Sequence, residues 1–157
     1  MKIKKAVIPV AGKGTRFLPA TKETPKEMIP VLTKPMVHYV VEEAVGAGIE
    51  QIVFVTSTGK GSLENYFDRN LELEVFLEKA GKSEYQKEVK KIGEMVDIIG
   101  IRQKEQLGLG HAIACAEPII GKEPFAVLLG DDLILSENPV TRQLIDCSEK
   151  QQGSSVI

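Results

Sequence analysis

Four segments of the chain are apolar with little interruption: residues 6–10 (Ala-Val-Ile-Pro-Val), 51–56 (Gln-Ile-Val-Phe-Val-Thr), 95–101 and 125–129. Short apolar runs bounded by turn formers predict strands covered on both faces, since a half-exposed strand would alternate with polar residues. Between them the period changes. Val37, Val40, Val41, Ala44 and Val45 recur at helical spacing over residues 36–47, and Gly46 and Gly48 close that segment. Further helices are predicted over residues 61–69, over 110–117 where Pro118 stops the pattern, and from Asn138-Pro139 to Lys150, with Pro139 in the first turn. Residues 71–92 interleave Glu with Lys and predict a solvated helical face. Its apolar members Leu73, Phe76, Leu77 and Ala80 could instead line a partner subunit. Residues 12–35 carry Pro19, Pro25, Pro30 and Pro35 and predict a long irregular connection.

Strands alternating with helices predict an α/β fold, a largely parallel sheet with helices on both faces. Ligands of such sheets bind beyond the carboxyl ends of the strands. Three segments fall there: residues 11–16, 102–111 and 130–132. The chain closes on Gly153-Ser154-Ser155-Val156-Ile157, a turn signal followed by the opening of a strand. A strand must pair to satisfy its backbone. The expectation is therefore a truncated chain, with an unpaired or disordered edge at Val156 and Ile157.

Composition narrows the function classes. A length of 157 residues suits one domain of about 100–200 residues. With 43% hydrophobic and 27% charged residues a core is affordable and disorder is not expected. The net charge of -2 argues against a nucleic-acid coat, and no apolar run nears the roughly 20 residues of a membrane span. The basic start precedes an apolar run too short for a signal peptide. Cys115 and Cys147 form no CxxC and read as packing thiols in a reducing cytosol. The expected setting is cytoplasmic, without nucleic-acid or membrane partners.

Ala11-Gly12-Lys13-Gly14-Thr15-Arg16 leaves the first strand. Gly12 and Gly14 would let a polyanion approach main-chain N–H groups, and Arg16 can hold phosphate oxygens bidentately. Residues 11–36 hold five cations (Lys13, Arg16, Lys22, Lys26, Lys34) against Glu23 and Glu27, a basic island in an acidic chain. Phosphate binding is the prediction. The dinucleotide fingerprint G-x-G-x-x-G fails, because Phe17 stands at the third glycine, which counts against an NAD-binding dehydrogenase domain. Gln103, Gly108 and Gly110 precede a helix and could meet a flat base. Gly130-Asp131-Asp132 delivers a carboxylate to the same sheet edge, where a hard oxygen ligand suits Mg²⁺. A turn-forming role is the plainer alternative for that pair of aspartates. Neither His38 nor His111 joins a nucleophilic constellation. His111, at a helix N-terminus, reads as structural, and His38 as surface or packing.

The segments at 11–19 and at 25–30 (Pro-Lys-Glu-Met-Ile-Pro), with Lys34-Pro35-Met36, residues 103–112 and 128–132, together resemble the sugar-1-phosphate nucleotidyltransferases. Their bacterial UTP–glucose-1-phosphate uridylyltransferase branch is the most similar. The resemblance implies a three-layer α/β/α, Rossmann-like nucleotidyltransferase fold. Residues 1–157 would be the nucleotide-binding N-terminal portion of a single domain whose sugar-binding remainder is absent. It implies uridylyl transfer from UTP to glucose 1-phosphate, giving UDP-glucose and pyrophosphate, by Mg²⁺-dependent in-line attack at the α-phosphorus. Ala11, Gly12, Gly14 and Thr15 would meet the nucleotide, Arg16 the β- and γ-phosphates, and Lys26 the charge between α-phosphate and sugar phosphate. Gln103 and Gly108 would recognise the base, and Asp131 the metal, with Asp132 outside the ligand set. At full length the resemblance implies a homo-oligomer, dimer or tetramer. A thymidylyl-transferring relative and a nucleotide-binding fragment without catalysis are the alternatives.

Overall fold

The apolar runs fold as strands of one parallel sheet in the computed structural model, which describes residues 2–153 and 155–157. In chain order the strands are β1 (Lys5–Pro9), β2 (Pro30–Val31), β3 (Lys34–Pro35), β4 (Gln51–Thr56), β5 (Asp97–Arg102) and β6 (Phe125–Val127). The main sheet has the order β5-β4-β1-β6, every neighbour parallel, and places Val7 beside Val53 on one side and Val127 on the other. Strands β2 and β3 make a small antiparallel hairpin with Leu32 in the left-handed region at φ 57°.

Alternation of side chains across the pleat explains why both faces need cover. Ala6, Ile8, Ile52 and Phe54 point into one core, with Val37, Val40, Val41 and Ala44 of α1 (Met36–Gly46), Leu63 and Phe67 of α2 (Gly61–Phe67), and Ile145 of α7 (Val140–Lys150). Val7, Val53 and Val55 point into the other, with Ala112 of α5 (Leu109–Ala114) and Ile120 of α6 (Glu117–Ile120). The result is the expected three-layer α/β/α arrangement.

Several predicted boundaries are corrected. Residues 71–92 are two helices, α3 (Leu71–Lys79) and α4 (Ser83–Gly93), because Gly81 turns left-handed at φ 68° and Lys82 N–H closes onto Leu77 O at 2.9 Å. Arg69 joins their far ends, donating to Glu74 at 2.6 and 2.7 Å and to Glu94 at 2.8 Å. That contact holds the Glu74 carboxyl below its usual range despite desolvation. Pro118 stops nothing: it lies in the first turn of α6, where its missing N–H is no loss. Pro139 stands at the N-cap of α7, one step before the first turn; without a side-chain cap there, Glu43 Oε1 of α1 accepts from Thr141 N–H at 2.8 Å. Cys147 is exposed, so it is no packing thiol, whereas Cys115 is half-buried against the second core. Residues 155–157 join no strand.

His38 belongs to packing. It is buried between α1 and α2, its Nε2 3.2 Å from Glu42 and its Nδ1 2.9 Å from the Tyr66 hydroxyl. Glu42 only accepts, so neutral His38 donates from Nε2 and Nδ1 accepts from Tyr66. Burial holds the His38 pKa below 6.5 although Glu42 pulls it up. Burial, with Glu88 and Glu42 nearby, pushes the Tyr66 hydroxyl up to about 12.

Candidate functional site

The order of the sheet reverses beside β1: the chain moves to β4 and β5 on one side, then crosses to β6 on the other. The carboxyl end of that switch point is where open α/β sheets hold ligands. Beyond β1, Val10 N–H still bonds Val55 O at 2.9 Å, and Ala11 O accepts from Ser57 Oγ at 2.9 Å and Gln106 Nε2 at 2.8 Å. The glycine loop is thereby tied to the ends of β4 and β5.

The two loop glycines differ. Gly14 has φ 64°, and a Cβ there would lie 3.2 Å from side-chain atoms of Lys26 and Thr21, so the fold itself requires glycine. Thr21 Oγ1 donates to Gly14 O at 2.7 Å and completes that turn. Gly12 has no such reason: a Cβ there would meet nothing within 4 Å, and its backbone is ordinary. It opens onto a cleft of about 950 Å³, walled by Lys13, Thr21 and Pro25 on one side, residues 57–60 on another, and Arg102, Gln103, Lys104 and Gln106 on a third.

Gln103 is buried at the end of β5, its N–H bonded to Thr56 O at 2.8 Å. Its Nε2 faces Gly108 O at 3.2 Å and His111 Nδ1 at 2.9 Å. A carbonyl only accepts, so the amide nitrogen donates to both, and His111 carries its proton on Nε2, 4.0 Å from Cys115 Sγ. His111 is thus structural, holding Gln103. Gly108 turns at φ 102° to start α5.

Lys26 and Asp131, 105 residues apart in the chain, meet at 2.6 Å between Nζ and Oδ2, with side chains 17% and 33% exposed. Lys26 sits in the one-turn 3-10 segment Lys26–Met28, and Asp131 follows β6. Beneath them the Glu27 carboxylate binds the Lys60 ammonium at 2.8 Å, both buried. Thr15 and Arg16 are exposed in the turn Thr15–Phe17. Ala11, Gly12, Gly14 and Gln103 are thus brought around one sheet edge, and Lys26 to Asp131 beside it. Of the predicted site residues only Gly12 and Gln103 line the cleft; Ala11, Gly14, Thr15, Arg16, Lys26, Gly108 and Asp131 do not.

The residues missed by sequence reasoning are Ser57, Thr58, Gly59 and Lys60. Their signal was present, because they follow a buried parallel strand as the glycine loop does. Among the described residues no group of three or more His, Cys, Asp and Glu side chains could hold a metal ion. Asp131 offers a single carboxylate, which fits Mg²⁺ only in the mode where phosphate oxygens supply much of the shell.

Comparison with known proteins agrees with this architecture. The family model described as nucleotidyl transferase matches residues 5–157. The chain is 58% identical to UTP–glucose-1-phosphate uridylyltransferase YngB of Bacillus subtilis over 145 residues, 92% of this chain and 49% of that protein. A structure titled UTP-bound UGPase from Acinetobacter baumannii superposes with a TM-score of 0.92 at 50% identity, covering 96% of this chain and 54% of that one. A UDP-glucose pyrophosphorylase complexed with UDP-glucose gives 0.81 at 45% identity, covering 96% and 55%. The chain spans about half the length of the relatives it matches. A glycine loop at the switch point, a lysine and an aspartate delivered to the same edge, and a family match over nearly every residue lead to one conclusion: this chain belongs to the nucleotidyl transferase family.

Proposed function

We propose that this chain is the nucleotide-binding part of an enzyme that transfers uridylyl from UTP to glucose 1-phosphate, releasing pyrophosphate. The observation that carries this is the meeting of Lys26 and Asp131 at 2.6 Å beside the glycine-loop cleft. Phosphoryl-group chemistry of this kind needs positioned charge more than a nucleophilic side chain. The relatives named above, one bound to UTP and one to UDP-glucose, support the choice of nucleotide and sugar.

In this proposal the N–H groups around Gly12 meet phosphate oxygens, and the bare Cα of Gly12 leaves them room. Of the two residues exposed at the loop's end, Thr15 meets the nucleotide and Arg16 the β- and γ-phosphates. Lys26 neutralises charge where the sugar phosphate oxygen attacks the α-phosphorus in line with the leaving pyrophosphate. Both Gln103 amide hydrogens are taken by Gly108 and His111, so its Oε1 is the group left to accept from a base such as uracil N3–H. Asp131 would hold Mg²⁺ together with phosphate oxygens, and the ion would supply further charge neutralisation. Lys26 and Asp131 are counter-ions of one another, so a phosphate and a cation would replace each for the other.

A second reading, nucleotide binding without catalysis, is favoured by the lining of the cleft, which includes Gly12 and Gln103 but neither Lys26 nor Asp131. Pyrophosphate release from UTP and glucose 1-phosphate with Mg²⁺ distinguishes the two. It is assayed on this chain and on one extended to the relatives' length. Release by the extended chain, lost in Lys26→Ala, supports the enzyme; release by neither, with UTP bound by both, supports the second reading.

A further inference from the structure

Glu27 and Lys60 have no part in the chemistry proposed above, yet they place two full charges under the site with side chains only 1% and 8% exposed. Such a pair is a poor device for stability, since apolar side chains of similar volume often serve as well. What it supplies is direction. Glu27 is held from three sides. It follows Lys26 in the turn Lys26–Met28; its carboxylate grips Lys60, at the end of the loop after β4; and its Cγ lies 3.2 Å from the point a Cβ on Gly130 would occupy. Gly130 directly precedes Asp131, and that same point lies 2.8 Å from Val10 Cγ1 beyond β1. The ends of β1, β4 and β6 therefore converge on one buried side chain. The residue before it carries the ammonium of the Lys26–Asp131 contact, and the segment it packs against carries the carboxylate.

We infer that Glu27 and Lys60 are positioning residues: their buried ion pair sets Lys26 against Asp131 and fixes the wall formed by residues 57–60. The inference rests on the roles proposed for Lys26 and Asp131, but its test does not need them. A water-soluble carbodiimide activates a carboxylate, and attack by a neighbouring amine forms an amide and releases the urea, with net loss of water. Applied to this chain, it joins Lys26 to Asp131 in proportion to their proximity. Mass spectrometry reads that link against the one between Lys34 and Glu42, 2.8 Å apart and away from the pair, as internal standard.

Two variants are compared with the unaltered chain. Glu27→Gln keeps the shape and removes the charge, and Glu27→Leu combined with Lys60→Met removes both charges. The expected result is a fall of about tenfold or more in the Lys26–Asp131 link relative to the standard, at unchanged circular dichroism, because a displacement near 1 Å already has large effects on such geometry. A link ratio equal to that of the unaltered chain in either folded variant overturns the inference. If Glu27→Gln does not fold, the double variant decides. Collapse of the double variant as well also overturns it, since a pair that positions is replaceable for stability. UTP binding is measured in parallel: its absence in the unaltered chain defeats the proposed function while the link ratio still decides positioning.

Discussion

Replacing Gly12 by Ala should separate folding from binding. A Cβ at residue 12 has no neighbour within 4 Å, and the backbone there is one any residue adopts. The substitution therefore leaves the folded state unstrained and narrows the unfolded ensemble, which raises stability by about 0.4–1 kcal/mol. For a chain of this size that is a rise in Tm of about 1–4 °C. Binding should move the other way. The added methyl stands in the cleft wall, where it blocks approach of a phosphate to the main-chain N–H groups. One hydrogen bond to a charged group is worth about 1.5–3 kcal/mol, so the affinity for UTP falls about 10- to 150-fold. Calorimetric titration with UTP in Mg²⁺ and a thermal melt read the two effects independently. Wild-type affinity in a stable Gly12→Ala chain would refute the phosphate approach, and a fall in Tm would refute the open space. Gly14→Ala is the reference, because φ 64° and neighbours at 3.2 Å make that change destabilising, by about 1–2 kcal/mol from the left-handed backbone alone.

Three other substitutions test the frame around the site. Gly130→Ala would force a Cβ to 2.8 Å from buried Val10 and 3.2 Å from Glu27, and overpacking of this kind costs about 1–3 kcal/mol, read as a lower midpoint in urea; an unchanged midpoint would show that the strand ends can part freely. Leu32→Asn should raise Tm by about 2–4 °C, since Leu32 is 92% exposed at φ 57° and Asn tolerates that conformation about 1 kcal/mol better. A lower Tm would mean that Leu32 makes a contact the hairpin needs. His38 is held neutral by burial, so the unfolded chain binds its proton more readily. Stability is then complete above pH 6.5 and falls as the pH drops from 6.5 toward the lowered native value. Urea midpoints between pH 5 and 8 should show this slope, and His38→Gln should flatten it. An equal slope in both would place the titrating group elsewhere.

Much of the architecture was legible because the core residues are periodic. The runs around Val7 and Val53 lack polar interruptions, and that lack carries the statement that both faces are covered. Helix boundaries were less legible where one residue type has two uses. Pro118 ends a helix from its interior and starts one from its first turn, and only the chain after Ala116 decides between them. The division of residues 71–92 likewise hangs on Gly81, whose positive φ is a property of the turn and not of composition.

At the site, the glycine loop, Gln103 and Asp131 could be named because their residue types carry chemistry at strand ends, whereas Lys26, in the 3-10 segment Lys26–Met28 of the long connection, was singled out by the resemblance. The pairing of these residues could not be named. The contact between Lys26 and Asp131 spans 105 residues and depends on where β6 enters the sheet. Gln103 could be set against a base, but which end of its amide is free could not be read: Nε2 is taken by Gly108 and His111, a fact of three-dimensional distance. Glu27 reads in sequence as an ordinary acidic neighbour of Lys26, and nothing along the chain shows that it is buried against Lys60.

Titration of the ¹⁵N-labelled chain with UTP and Mg²⁺ asks whether this sheet edge binds UTP. UTP bound there gives saturable shifts confined to the carboxyl ends of the strands: Gly12 and Gly14, residues 57–60, the Gln103 side-chain amide, and the backbone of Asp131. Saturable shifts centred elsewhere on the molecule, or none with UTP, would contradict binding at this edge.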